Sequence, residues 1–153
     1  GFDFSMFMQS CVGNEIANAL VMDIYSSEFG QWNMSKKMMN RWHGEGTTNV
    51  YPRLIASDPN ENARFSDRYV EDGSYLRMKN LQLGYTLPST FTKKFNVSKL
   101  RIYGSIDNVF VLTKYSGFDP EMGDLLGNPL SIGVDLASYP RPRTFVLGFN
   151  ISL

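Results

Sequence analysis

The stretch Thr144–Leu153, TFVLGFNISL, decides how the rest of the chain is read. Phe145, Leu147, Phe149, Ile151 and Leu153 are large and apolar, and they alternate with Thr144, Val146, Gly148, Asn150 and Ser152, most of them small or polar. In an extended strand, successive side chains point to opposite faces, so a period of two gives one greasy face and one that tolerates water. The pattern runs to the last residue. A face of five bulky apolar groups has to be covered by something: a second sheet, or lipid.

Three more segments carry the same period. At the start, Phe2, Phe4, Met6 and Met8 alternate with Asp3, Ser5, Phe7 and Gln9. Leu81, Leu83, Tyr85 and Leu87 oppose Asn80, Gln82, Gly84 and Thr86; Leu100, Ile102, Gly104 and Ile106 oppose Arg101, Tyr103, Ser105 and Asp107. These rows predict strands over about 1–13, 74–87, 99–113 and 143–153. The second slips phase, because Leu76 and Met78 are even-numbered and Leu81 onward odd. One extra residue near Lys79–Asn80, a β-bulge, restores a single apolar face; without it, Arg77 and Lys79 fall on that face and must snorkel. An alternation already running at residue 1 predicts a piece of a longer chain.

Composition narrows the function. Fifteen basic residues balance fifteen acidic ones, so no basic field points to nucleic acid. Cys11 is the only cysteine and His43 the only histidine, and no nucleophile elbow, zinc helix or phosphate-binding glycine loop is present. An enzyme is not expected, and the reading includes no cofactor and no metal. No run of 18 apolar residues occurs, so no transmembrane helix is expected.

The connections alternate in length. Residues 88–98, PSTFTKKFNVS, form a short turn, whereas 14–73 and 114–142 are long and hold most of the Gly, Pro, Asn and Asp. Within the first long connection, Glu15–Tyr25 and Ser35–Trp42 are candidate helices, with Ser35 as an N-cap. Long connections at one end and short ones at the other are typical of outer-membrane β-barrels. Ten residues at about 3.3 Å each, tilted near 45°, rise roughly 23 Å, which matches the ~25 Å apolar band of such barrels. A soluble β-sandwich satisfies the periodicity equally well, and would make the chain a carbohydrate- or protein-binding module.

Two resemblances separate these readings. Gly148, Ile151 and Leu153 resemble the C-terminal signal read by the barrel assembly machinery of Gram-negative bacteria; the departures are Val146, where a polar residue is usual, and Leu153, where Phe is commonest. The stretches SDRYVEDGSYLRMKNLQLGYTLP (66–88), LRIYGSIDNVFVLTKYSGFDPE (100–121) and GVDLASYPRPRTFVLGFNISL (133–153) resemble the end of the SusC/RagA family of TonB-dependent outer-membrane transporters. GFDFSMFMQSCVGNEIANAL at the start and the NRWHGEG…YPRL loop resemble the preceding strand and loop, so the similarity covers nearly the whole chain in the family's order.

This resemblance implies an all-β fold: antiparallel strands forming the C-terminal part of a 22-stranded transmembrane barrel, with long extracellular loops containing short helices. It implies that 14–73 and 114–142 are external and that 88–98 is a periplasmic turn. Lipid would then meet Leu81, Leu83, Tyr85, Leu100, Ile102, Ile106, Phe145, Leu147, Phe149, Ile151 and Leu153. The implied activity is import of glycans or peptides across the cell outer membrane. Its partners would be the remainder of the barrel and plug, a SusD-like lipoprotein lid and the TonB complex. In the loops, Trp32, Trp42, His43, Tyr51 and Tyr139 are candidates for the substrate chamber or lid contact, because aromatic faces stack on sugars and on apolar side chains; packing against the barrel rim is the plainer role for each. Asp119, Glu121, Asp124 and Asp135 supply the oxygens of a calcium site but lack the spacing of a dedicated loop, so a solvated acidic loop is the simpler expectation. Lys93, Lys94, Arg141 and Arg143 are charged turn residues within reach of lipid phosphates.

Overall fold

The alternating segments pair with one another, and their register settles which side chains share a face. The computed structural model describes residues 1–26, 33–121 and 131–153. Strands β1 (Phe2–Cys11), β4 (Tyr75–Thr86), β5 (Lys99–Thr113) and β7 (Thr144–Ser152) form one antiparallel sheet in the order β1–β4–β5–β7. Directly opposed residues lie on the same face. Phe2, Tyr85, Ile102 and Phe149 therefore form one row, Phe4, Leu83, Gly104 and Leu147 the next, and Met6, Leu81, Ile106 and Phe145 a third. Leu100 stands opposite Ile151. The other face carries Asp3, Gly84, Tyr103 and Gly148, then Ser5, Gln82, Ser105 and Val146, then Phe7, Asn80, Asp107 and Thr144.

The phase slip is absorbed by a bulge. Phe7 faces Asn80 but Met8 faces Met78, which leaves Lys79 as the extra residue in β4. Across the β4–β5 ladder, Met78 faces Phe110 and Asn80 faces Asp107, so β5 inserts one further residue there. Asn108 takes the left-handed conformation at φ 53°, which Asn tolerates better than most residues. Its side-chain amide donates to the Pro142 carbonyl at 3.0 Å, fastening the irregularity to the segment before β7. Beyond the bulge, Leu76 and Met78 join the apolar face, while Arg77 and Tyr75 take the polar one and are both buried.

The long connections hold more structure than loops alone. Strands β2 (Glu15–Asn18), β3 (Val70–Asp72) and β6 (Val134–Asp135) form a second, three-stranded sheet in the order β3–β2–β6, antiparallel on one side and parallel on the other. The helix expected over Glu15–Tyr25 is thus half strand. Ile16, at 1% exposure, anchors β2, and the helix α1 (Ala19–Ile24) starts only after it, because the Asn18 side chain caps it by accepting the Val21 amide at 3.0 Å. The second expected helix is a 3-10 segment, Lys36–Asn40. Ser35 does cap it, but the Trp42 amide donates to the Tyr51 carbonyl at 3.0 Å and draws the chain out of the helix at Arg41.

Contacts divide the chain into two units, one of residues 1–12, 74–114 and 140–153 and the other of 13–73 and 115–139. The second owns an ordinary buried core of Ile16, Met38, Ala63, Tyr69 and Tyr115. The first is turned inside out: Arg77 is 4% exposed whereas Leu147 is 89% exposed.

Candidate functional site

The apolar face of the four-stranded sheet is its largest chemical feature. Phe145, Phe149, Ile151, Leu83 and Ile102 are all more than half exposed, and Tyr85 is at 36%. Leu81, Leu100 and Ile106, deeper in the sheet, are partly covered. Among the described residues no second sheet lies over Phe149 and Ile151 in the way a β-sandwich would require, since they keep 70% and 53% of their surface. Full burial of one such side chain stabilises a fold by roughly 1.5–3 kcal/mol. Leaving a dozen in water forfeits that many times over, so this face has to meet an apolar medium.

The opposite face is held by polar bonds. The Arg101 guanidinium spans β4 to reach Asp3 on β1, with Nε donating to Oδ2 at 3.0 Å. It passes over Gly84, where an added Cβ would stand 2.5 Å from both Arg101 Nη2 and Asp3 Oδ2. The same guanidinium sits 5.0 Å from the centre of the Tyr103 ring. That ring lies across Gly148, whose Cβ would be 2.5 Å from Tyr103 Cζ. Gly148 thus has a local steric role besides any part in assembly. Further along the sheet, Asn80 of β4 donates to Asp107 of β5 at 2.7 Å.

The sheet is open at both edges. Strand β1 pairs only with β4, and β7 only with β5, among the described residues. Each free edge presents a row of unpaired N–H and C=O groups, and hydrocarbon offers them no partner.

In the loop unit, aromatic and polar groups form two clusters. Tyr51 meets Tyr25 edge-on, with ring centres 5.4 Å apart, and the Arg68 guanidinium lies 5.7 Å from its ring centre. Arg68 also donates to the Val50 carbonyl at 2.9 Å. Tyr51 is therefore a packed pin, and Trp42 joins it through the backbone bond described above. His43 is exposed, its amide donating to Thr47 Oγ1 at 3.1 Å. Tyr139 is 89% exposed. Trp32 lies outside the described residues, as does Asp124.

The second cluster joins three distant segments. Glu71 accepts from the Asn18 side chain at 2.9 Å, the Ser116 amide at 2.9 Å and the Ser116 hydroxyl at 2.7 Å. Asp135, fully buried, accepts from the Tyr115 hydroxyl at 2.6 Å and the Ser138 amide at 2.9 Å. Burial first, and then the neighbouring Asp135 carboxylate, push the Tyr115 phenol well above the ordinary tyrosine value. Asp135 is thus engaged in holding the loop, and Asp119 accepts the Glu121 amide at 2.9 Å. Among the described residues, no three acidic, histidine or cysteine side chains converge as a metal site. Sequence reasoning missed Tyr25, Arg68, Asn18, Glu71 and Tyr115, whose partners lie far along the chain.

A sheet with one continuous apolar face, one hydrogen-bonded polar face and two unpaired edges has the architecture of a segment of β-barrel wall. No helix among the described residues is long and apolar enough to cross a membrane, which bears only on helical spans. Known proteins agree with the wall. The chain is 38% identical over 154 residues to TonB-dependent receptor P3 of Formosa agariphila, and 33% identical over 87 residues to TonB-dependent receptor SusC of Bacteroides thetaiotaomicron. These alignments cover 98% and 56% of this chain, and 15% and 8% of the relatives. The solved structure of the RagAB peptide transporter superposes on 99% of this chain and 16% of its own, with a TM-score of 0.81 and 27% identity. No protein-family model matches. The chain belongs to the SusC/RagA family of TonB-dependent receptors, and it spans about one-sixth of the length of the relatives it matches along its whole length.

Proposed function

We propose that the chain is the C-terminal part of the wall of a 22-stranded outer-membrane barrel, and that the whole protein imports glycans or peptides under TonB control beneath a SusD-like lid. The observation that carries this reading is the register. It brings the bulky rows of all four strands onto one face and absorbs the phase slip at Lys79 so that the face is continuous. In this reading the rows of Phe145, Leu147, Phe149 and Ile151 touch acyl chains, and Gly84, Tyr103 and Gly148 look into the lumen and toward the plug. The free edges of β1 and β7 pair with the remainder of the barrel. Connections 14–73 and 114–142 face outward, and the 88–98 turn after β4 is periplasmic. The match to a RagAB peptide transporter favours peptides as the first substrates to test, and the match to SusC keeps glycans beside them.

The test is heat-modifiable migration of the full-length receptor together with uptake by cells. A folded barrel migrates differently unboiled and boiled, and a strain lacking the gene should lose growth on its peptide or glycan source until complemented. Identical migration, with partition into the aqueous phase, would overturn the reading.

A further inference from the structure

The turn between β4 and β5 inverts the usual rule of burial. It starts at Pro88, and α2 (Ser89–Thr92) is followed by a 3-10 turn, Lys93–Phe95. Asn96, left-handed at φ 57°, closes it, with its amide donating to the Lys93 carbonyl at 3.2 Å. Val97 donates to the Thr92 carbonyl at 3.2 Å, and Ser98 ties the end to the Ser152 carbonyl of β7 through its amide at 2.8 Å and its hydroxyl at 2.9 Å. The turn is a built element, yet polar Thr92 is 3% exposed while Phe91 and Phe95 are 63% and 76% exposed. A turn folding against water would place a phenylalanine where Thr92 sits.

Charge follows the same pattern. No acidic residue occurs from Gly73 to Ile106, and the turn itself holds Lys93 and Lys94, both exposed. The Lys94 ammonium lies 5.7 Å from the centre of the Phe91 ring, so one cation and one ring already share a site. The turn directly continues strands whose last two apolar rows are Tyr85, Ile102 and Phe149 and then, nearest the turn, Leu100 and Ile151, with the Leu87 amide donating to the Leu100 carbonyl at 2.9 Å. Exposed rings beside exposed cations at the end of an apolar wall match the boundary between acyl chains and headgroups, where rings enter the boundary and cations meet phosphate.

We infer that this turn is an anchor for anionic phospholipid: Lys93 and Lys94 bind headgroup phosphates while Phe91 and Phe95 enter the acyl boundary. The inference rests on the barrel-wall reading, and its test separates the two. In the full-length receptor with other cysteines replaced, a fluorophore is placed at Phe95→Cys or at Leu147→Cys, and each protein is put into vesicles of phosphatidylethanolamine with or without phosphatidylglycerol. Nitroxide lipids labelled at shallow or deep acyl positions then quench it. The expected result is deep quenching at 147 and shallow quenching at 95. In parallel, phosphatidylglycerol co-purifying with the receptor should fall by about tenfold relative to phosphatidylethanolamine in K93Q/K94Q. Quenching at 147 without quenching at 95, or an unchanged lipid ratio in K93Q/K94Q, overturns the anchor and leaves the wall standing. Absence of quenching at 147 overturns the wall reading, and the anchor with it.

Discussion

Leu147 and Val146 are neighbours in sequence on opposite faces of β7, and substituting each by arginine tests the orientation of the whole sheet. Leu147 shares its row with Gly104, Leu83 and Phe4; Val146 shares its row with Ser105, Gln82 and Ser5. Gly148 is the midpoint of Thr144–Ser152, so Leu147 lies one residue, or about 2 Å along the membrane normal, from mid-height. Arginine on the lipid face near the midplane costs about 2–4 kcal/mol, which lowers the folding equilibrium constant by roughly 30- to 1,000-fold. Lumen-facing arginine avoids that cost and should stay within about 1 kcal/mol. The full-length receptor refolded into lipid vesicles and titrated with urea gives the comparison, with the unboiled, fast-migrating band as readout. Leu147→Arg should shift the midpoint strongly and Val146→Arg little. Equal losses, or a greater loss for Val146→Arg, would refute the assignment of the apolar face to lipid.

Other outcomes follow from single contacts. Gly148→Val places methyls against the Tyr103 ring and should cost about 1–3 kcal/mol, as read by the melting of the unboiled band; Tyr103→Ala in the same chain should recover part of it. Tyr115→Phe removes a donor from fully buried Asp135 and should destabilise the loop unit by about 1–3 kcal/mol, seen as faster proteolysis of 115–139. Because the folded-state pKa of Tyr115 lies above its unfolded value of 10.0, the linked stability is present below pH 10 and is lost as pH rises beyond it. Protease sensitivity should therefore climb above pH 10, and less steeply in Tyr115→Phe. Asp58 has the opposite sign. Burial raises its pKa, but bonds from the Ala63 amide and from Asn62 outweigh this and hold it below 3.8, so its contribution is lost as pH falls from 3.8; Asp58→Asn should flatten that acid limb of a proteolysis profile. Trp42→Ala should weaken substrate uptake without altering the amount of folded receptor, if the loop aromatics line the chamber.

The sequence by itself determined the strands. A period of two needs no partner to be read, and the rows ending in Leu87, Ile106 and Leu153 identify one apolar face before any pairing is known. The phase slip between Met78 and Leu81 also announced its own bulge, because only an inserted residue keeps Leu76 on the side of Leu83. Local signals failed where a distant partner decided the conformation. Glu15–Asn18 reads as helix, yet it pairs with Val70–Asp72 and Val134–Asp135, and backbone hydrogen bonds to distant strands override the intrinsic preference of four residues. Trp42 leaves its helix for the Tyr51 carbonyl for the same reason.

Tertiary structure alone decided the polar fastenings. Asp3 and Arg101 are 98 residues apart, and only the strand order β1–β4–β5, with a glycine in the middle, lets them meet. Asn18, Glu71, Ser116 and Tyr115 carry no signal of their pairing until the loops fold, and Asp135, read in sequence as a calcium candidate, turns out to hold Tyr115, because a hydrogen bond depends on where two groups stand and not on their spacing in the chain. Alternation is a property of one strand, whereas enclosure is a property of many.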